Sequence, residues 1–102
     1  MEIYTKTYQT KAGPVEGIQV KWQGFNILLA AGGKGFIACP AIDIEACQRY
    51  GVAAAIVESS PENPIGNLDR FAARKVVKAN QKATAIGVTP GMDVAAALER
   101  IA

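Results

Sequence analysis

The chain has 102 residues, of which 50% are apolar or aromatic and 20% are charged, and it contains no histidine. Without imidazole there can be no Ser/His/Asp triad, no Cys/His dyad and no zinc site that uses histidine. The net charge of +2 is spread through 11 basic and 9 acidic residues, so the sequence has no dense basic patch. We therefore expect no binding to nucleic acid. A chain of this length can build one core, which predicts a single domain over residues 1–102.

The sequence has no segment that would target it to a membrane. No apolar run resembles a signal peptide or approaches the roughly 20 apolar residues of a membrane span. The two cysteines, Cys39 and Cys47, are too few for a disulfide framework, and this is typical of a reducing compartment. We therefore expect a soluble cytoplasmic protein with no membrane partner.

The first forty residues read as strands separated by turns. Residues 3–9 and 15–22 are rich in β-branched and aromatic side chains, and Gly and Pro between them predict a hairpin. Residues 25–31 are apolar on both faces apart from one asparagine, which predicts a central strand covered on both sides. A glycine-rich turn then leads into a short buried strand at 36–39. Residues 1–40 are thus predicted to form an antiparallel β-meander.

After Pro40 the pattern changes to helices alternating with strands. Asp43 is placed to cap a helix over 44–50, and Gly51 is placed to end it. Residues 52–57 then predict a buried strand, and 58–64, with two prolines, an exposed loop.

The segment from Gly66 to Ala83 is ambiguous. It fits one long helix, but it also fits a short strand at 75–78 followed by a helical turn that Asn80 caps. The last helix is clearer, because Asp93 precedes an apolar stripe with helical spacing, formed by Val94, Ala97, Leu98 and Ile101. The predicted fold is α+β, with an amino-terminal antiparallel β-meander followed by β/α units over 41–102 and helices packed on a mixed sheet.

Two motifs carry a family resemblance. Residues 35–44 match the pattern Gly-aromatic-Ile-x-Cys-x-Ala-aliphatic-Asp-aliphatic, and residues 87–92 match Gly-x-x-x-Gly-Met. The chain resembles the YunC-like family of domains of unknown function in these motifs. The resemblance implies a small α+β fold whose amino-terminal β-region joins subunits, commonly as a tetramer, and it favours the short strand near 74–79. It implies no known activity.

Cys39 is the residue best placed to carry chemistry. It ends a buried strand four positions before the predicted cap Asp43, so its thiol could be activated by the helix amino terminus, with Asp43 beside it. Alternatively, Cys39 packs as a small apolar group and Asp43 serves as the helix cap. A carboxylate close to a thiolate would raise the pKa of the thiol, which argues against a nucleophile and base pair. We expect no metal and no cofactor.

Two further sets of residues are candidates for binding. Lys34 lies in a glycine-rich turn that lacks the ending of a phosphate-binding loop, although its side chain could meet an anion. The first two strands carry an apolar and aromatic set that predicts either core or an oligomer interface: Tyr4, Tyr8, Ile18, Val20 and Trp22. The chain carries more small apolar residues than a core of this size can bury, and this excess favours the interface.

Three functional hypotheses remain open. The first is a homo-oligomer, with a tetramer favoured, that assembles through the amino-terminal strands and has an accessory or binding role. The second is a small thiol-dependent enzyme that uses Cys39. The third is a small-molecule binder with a pocket between subunits, and it predicts a cleft lined by Lys34 or by the loop from Ser59 to Gly66.

Overall fold

A computed structural model describes all residues from 1 to 102, and it confirms an α+β fold. A mixed sheet of six strands carries four helices. The strands are β1 (Glu2–Thr10), β2 (Gly13–Trp22), β3 (Phe25–Ala31), β4 (Phe36–Ala38), β5 (Ala54–Val57) and β6 (Val76–Ala79). The helices are α1 (Ile44–Arg49), α2 (Leu68–Phe71), α3 (Gln81–Ala85) and α4 (Val94–Ile101).

The strands lie in the sheet in chain order, from β1 at one edge to β6 at the other. Neighbours are antiparallel except for β4 and β5, which run parallel and are joined through α1. Gly35 allows this parallel pair to approach closely, because a Cβ at that position would lie 2.7 Å from the Ala53 carbonyl oxygen. The predicted antiparallel β-meander at the amino terminus is confirmed.

Helix α1 begins and ends as the sequence predicts, to within one residue. The Asp43 carboxylate accepts hydrogen bonds from the N–H groups of Glu45 and Ala46, at 3.0 and 3.2 Å. Gly51 follows the helix with a φ of +77°, a conformation that glycine adopts without steric cost. The capping interpretation of Asp43 is therefore confirmed.

The ambiguous segment contains two short helices and a strand instead of one long helix. The Asn80 side chain decides this arrangement, because it is buried and uses both ends of its amide. Its Nδ2 group donates to the carbonyl oxygens of Ile44 and Val52, and its Oδ1 atom accepts from the N–H groups of Ala54 and Ala83. One side chain thus ties α1, β5 and α3 together while it caps α3.

The expected cap of the last helix is correct in position but wrong in its chemistry. Asp93 occupies the N-cap position of α4, yet its side chain accepts no hydrogen bond from the helix. Its carboxylate instead forms an ion pair of 3.0 Å with Lys75. The N–H group of Val94 is satisfied by the Arg74 carbonyl oxygen, at 2.8 Å. The backbone beside β6 has replaced the cap.

We call the inner face the side of the sheet covered by α2, α3, α4 and the loop before α2. It holds the main core of 19 buried residues, including the predicted stripe of α4. Phe71 of α2 lies at its centre, fully buried and 6.5 Å from the ring of Tyr8. Burial of this face gives the fold most of its hydrophobic stabilisation.

The opposite side, the outer face, is covered only over β4 and β5. There α1 packs Ile44 against Ala54 and Ile56 in a second, smaller cluster. Over β1, β2 and β3 the outer face has no covering element, so Phe25 and Leu29 of β3 stay exposed or half-buried. The prediction that β3 is covered on both sides is therefore wrong for its outer side.

None of the four helices has the length and apolar character needed to cross a membrane.

Candidate ligand cleft

A cleft opens at the end of the sheet where the parallel strands β4 and β5 finish. The chain leaves β4 towards α1 on the outer face, whereas it leaves β5 towards α2 on the inner face. The two connections therefore separate and leave a gap at the strand ends. In open α/β sheets, ligands bind in the crevice at this kind of switch point. The turn between β2 and β3 closes the other side of the cleft.

The cleft has a volume of about 620 Å³. This lies within the range of roughly 300–1,000 Å³ that is typical of small-molecule sites. Most of its lining surface is apolar, with a small number of polar groups. The lining residues come from three segments, which are the β2–β3 hairpin end (including Trp22 and Phe25), the residues after β4 (Cys39, Pro40, Ala41) and the loop after β5.

The loop after β5, residues 58–67, is held in place from below by Arg74. The Arg74 residue is only 8% exposed. Its guanidinium donates to the carbonyl oxygens of Asn63 at 2.9 Å and Pro64 at 2.7 Å, and to the Oδ1 atom of Asn63 at 3.1 Å. Ile65, which is buried in the main core, anchors the same loop. These contacts fix the wall of the cleft.

Gln19 fastens the end of this loop to the sheet. Its side chain is buried on the inner face of β2, and its Nε2 group donates to the Gly66 carbonyl oxygen at 3.0 Å and to Asn26 Oδ1 at 3.2 Å. Two residues that line the cleft, Asn26 and Gly66, are therefore linked through a third that lies behind them. This positions the hairpin end against the loop.

Cys39 lies in the wall of the cleft and also belongs to the main core. It is 6% exposed, and its backbone N–H donates to the Leu28 carbonyl oxygen at 2.9 Å. It packs with the inner-face cluster, whereas α1 packs on the outer face. The structure does not bring Cys39 and Asp43 into a catalytic pair, because the Asp43 carboxylate is engaged in capping and Asp43 does not line the cleft. Cys47 packs beside the smaller cluster.

Lys34 lies away from the cleft. Its backbone N–H donates to the Ile101 carbonyl oxygen at 2.8 Å, so the glycine-rich turn serves to satisfy the end of α4. The side chain of Lys34 is exposed and does not line the cleft. Of the two elements that the third hypothesis names as a cleft wall, the structure places the Ser59 to Gly66 loop there and leaves Lys34 outside.

The five residues predicted to form an interface are divided between the two faces of the sheet. Tyr8 is 7% exposed and packs in the main core, where its hydroxyl donates to the Leu68 carbonyl oxygen. Burial, with a smaller effect from the negative charge of Asp69, raises the pKa of Tyr8 to about 12. Tyr4 lies on the same side of the sheet, opposite Gln19, and its hydroxyl donates to Glu2.

The other three residues, Ile18, Val20 and Trp22, share the outer face. Their cross-strand partners extend the apolar surface, since Ile3 pairs with Val20, Leu29 with Ile18 and Phe25 with Trp22. We call these six residues the outer patch. Trp22 and Phe25 meet edge to face, with ring centroids 5.7 Å apart, and both also line the cleft. The cleft and the outer patch are therefore continuous.

Sequence reasoning singled out Cys39, Trp22 and the Ser59 to Gly66 loop, which line the cleft, but it missed Arg74, which holds the loop, and Lys21. Arg74 reads as a surface charge, and Lys21 reads as one of several lysines on a strand. One signal was available, because a segment with two prolines and two serines after a buried strand is typical of an ordered binding loop. The hydrogen bonds from Arg74 to this loop span up to 16 residues of sequence and leave no local pattern.

Comparisons with known proteins agree on the fold and on the family. The crystal structure of a protein of unknown function, TA1206 from Thermoplasma acidophilum, superposes with a TM-score of 0.84 at 20% sequence identity, over 99% of this chain and 94% of that chain. No curated protein matches the chain. The family model described as "Domain of unknown function (DUF1805)" matches residues 38–101, which begin at the end of β4 and include Cys39 and the loop after β5. The chain therefore belongs to this family of domains of unknown function.

Proposed function

We propose that this protein is a small-molecule-binding domain whose site is the cleft at the ends of β4 and β5. The observation that carries the proposal is the position of the cleft, between two connections that leave a parallel strand pair towards opposite faces of the sheet. The size, the apolar lining and the fixed wall support it, because small-molecule sites are largely formed before the ligand arrives. Cys39 then serves as part of the wall.

An uncharged fluorescent probe tests the proposal. N-phenyl-1-naphthylamine brightens on entering an apolar site, so its titration gives an affinity. Ala41 is an exposed residue in the lining, and A41F would fill the cleft without disturbing the core. The matched control is A96F, at an exposed position on α4 outside the cleft. We expect A41F to weaken binding about tenfold, a loss of roughly 1.4 kcal/mol, and A96F to leave it unchanged.

A second readout locates the probe. The chain has one tryptophan, Trp22, so its indole N–H gives a single resolved NMR signal at the cleft. The proposal expects this signal and the amide signals of residues 59–66 to shift on titration. Shifts confined to β1 and the outer part of β2, or equal binding by A41F and the parent protein, would contradict it.

A second candidate role is self-assembly through the outer patch, as a tetramer in a reducing cytoplasm, and it is compatible with the first. The exposed apolar side chains over β1, β2 and β3 support this role, because an antiparallel sheet that faces water usually carries polar residues on that side. A second copy is the occupant that fits best, since two such faces pack as in a β-sandwich. The YunC-like resemblance supports the same assembly.

Light scattering coupled to size-exclusion chromatography tests this role. I3K places a charge in the outer patch at a side chain that is 63% exposed, so folding should be unaffected. V77K is the control, at an exposed valine on the far edge strand β6. We expect the parent protein and V77K to elute as oligomers and I3K to elute near the chain mass of 10.7 kDa. A monomeric parent protein would refute self-assembly.

A further inference from the structure

One charged residue lines the cleft, and it is basic. Lys21 is the single charged residue among those lining it, and none of the nine acidic residues contributes to the wall. The ion pairs of the chain are Lys6 with Asp69 and Lys75 with Asp93, so the Lys21 ammonium has no carboxylate partner. Its neighbour across the strands, Glu2, is bound by the Tyr4 hydroxyl instead. The cleft thus presents an unpaired positive charge.

The cleft has several free hydrogen-bond donors among its lining residues. The backbone N–H groups of Ala41, Ser59 and Gly66 make no hydrogen bond within the chain. The Oγ atoms of Ser59 and Ser60 accept from loop N–H groups, at 3.3 and 3.1 Å, which leaves both hydroxyl hydrogens free to donate. These groups come from both connections that frame the cleft.

Some acceptors of the cleft are already used, whereas the carbonyl oxygens of Pro40, Ala41, Ser59 and Pro61 accept no hydrogen bond within the chain. The Asn26 Oδ1 atom and the Gly66 carbonyl oxygen both accept from Gln19, and the Pro64 carbonyl oxygen accepts from Arg74. A cationic ligand is disfavoured by the like charge of Lys21, not by a lack of acceptors. The free N–H and hydroxyl donors can bind the oxygens of a ligand, and the charge of Lys21 favours a ligand whose oxygens are anionic.

Arg74 adds a second positive charge behind the wall. Its guanidinium is buried, and it donates only to carbonyl and amide oxygens of the loop, with no carboxylate within ion-pair distance. A buried charge that is not neutralised by an opposite charge contributes a positive potential to its surroundings, and the region of low dielectric screens it weakly. The loop between Arg74 and the cleft is therefore favourable for a negative group.

We infer that the cleft selects small organic anions with an apolar body. In this arrangement the anionic group meets Lys21 and the free donors of the two connections, while Trp22, Phe25 and Leu28 contact the apolar body. A carboxylate, sulfonate or phosphate group satisfies the same donors. The inference rests on the proposed function, because it assigns a ligand class to the same cleft.

Two probes that share a ring system separate the contribution of the charge from that of the apolar body. 8-Anilino-1-naphthalenesulfonate carries one sulfonate, and N-phenyl-1-naphthylamine lacks it. We expect the sulfonate probe to bind the native protein about tenfold more tightly than the neutral probe, as one charge-assisted contact would give. Both probes should lose affinity in A41F.

The variant K21M removes the charge of Lys21 and keeps most of its apolar stem. We expect K21M to weaken the sulfonate probe about tenfold and to change the neutral probe less than about twofold. The control K11M lies in the turn between β1 and β2, outside the cleft, and should alter neither probe. Circular dichroism checks that both variants keep the fold.

The outcomes distinguish the inference from the proposal beneath it. One outcome is that both probes lose affinity in A41F, bind the parent protein equally well and keep the same affinity in K21M. In that case the cleft is a binding site and the preference for anions is wrong. If neither probe responds to A41F, the proposed function fails, and the inference fails with it. If K11M weakens the sulfonate probe as much as K21M does, the effect is one of total charge, which also overturns the role of Lys21.

Discussion

The two faces of the sheet differ in what covers them. The inner face is covered by α2, α3, α4 and the loop after β5, and the side chains of its main core are almost fully buried. The outer face is sealed by α1 over β4 and β5 alone, and the outer patch stays open. The same strands supply both faces, so alternation along a strand separates residues that hold the fold from residues that are free for contacts.

The cleft lies at the boundary between the main core of the inner face and the outer patch. Its walls include Cys39 and Ile65 from the sealed core, and Trp22 and Phe25 from the open outer patch. A ligand there would contact rigid groups on one side and groups at the edge of a possible subunit interface on the other. Ligand binding and self-assembly can therefore influence each other through Trp22 and Phe25.

The largest expected difference between the faces is in stability. F71A removes a fully buried ring from the inner core and should lower the free energy of unfolding by about 3–5 kcal/mol. F25A removes a ring that is 52% exposed on the outer patch and should change it by less than about 0.5 kcal/mol. Urea denaturation at one fixed protein concentration measures both values, since assembly makes stability depend on concentration. Equal losses would show that the outer patch is buried in the native protein.

A smaller loss of stability is expected when the Arg74 guanidinium beneath the loop is removed. R74M keeps a long side chain but leaves four loop oxygens without donors, and we expect a loss of about 2–3 kcal/mol. The variant should also be cut faster by a glutamate-specific protease at Glu62, which is exposed in the same loop. R70M, on the exposed side of α2, is the matched control. An unchanged cleavage rate in R74M would mean that Ile65 and Gln19 order the loop without Arg74.

Much of the fold follows from local patterns in the sequence. The hairpin, the capped helix α1 and the apolar stripe of α4 each depend on residues close together in the chain, so periodicity and capping rules predict them. The segment from Gly66 to Ala83 stayed ambiguous, because Asn80 decides it through contacts with Ile44 and Val52, which lie far away in sequence. Long-range hydrogen bonds of this kind leave no local signal.

The site was less predictable than the fold for the same reason. The interface set grouped tyrosines with Ile18, Val20 and Trp22 by composition, whereas the strand register separates Tyr4 and Tyr8 onto the other face. The cleft depends on which way two connections leave the sheet, and that direction is a property of the whole topology. Cys39 was correctly singled out by position, but whether it lines a cavity could be seen only in three dimensions.

The smallest expected effect compares two aspartates at equivalent helix positions. Asp43 accepts two hydrogen bonds from the end of α1, the helix that seals the outer face, so D43A should lower the free energy of unfolding by about 1 kcal/mol. Asp93 accepts none from α4 and forms an exposed ion pair with Lys75, so D93A should cost about 0–0.5 kcal/mol. Raising the ionic strength should reduce the D93A effect and leave most of the D43A effect, because salt screens an exposed ion pair more strongly than a short capping hydrogen bond. If D93A proves the more costly of the two, then the Arg74 carbonyl does not compensate for the missing cap, and the packing of α4 on the inner face depends on the ion pair between Asp93 and Lys75.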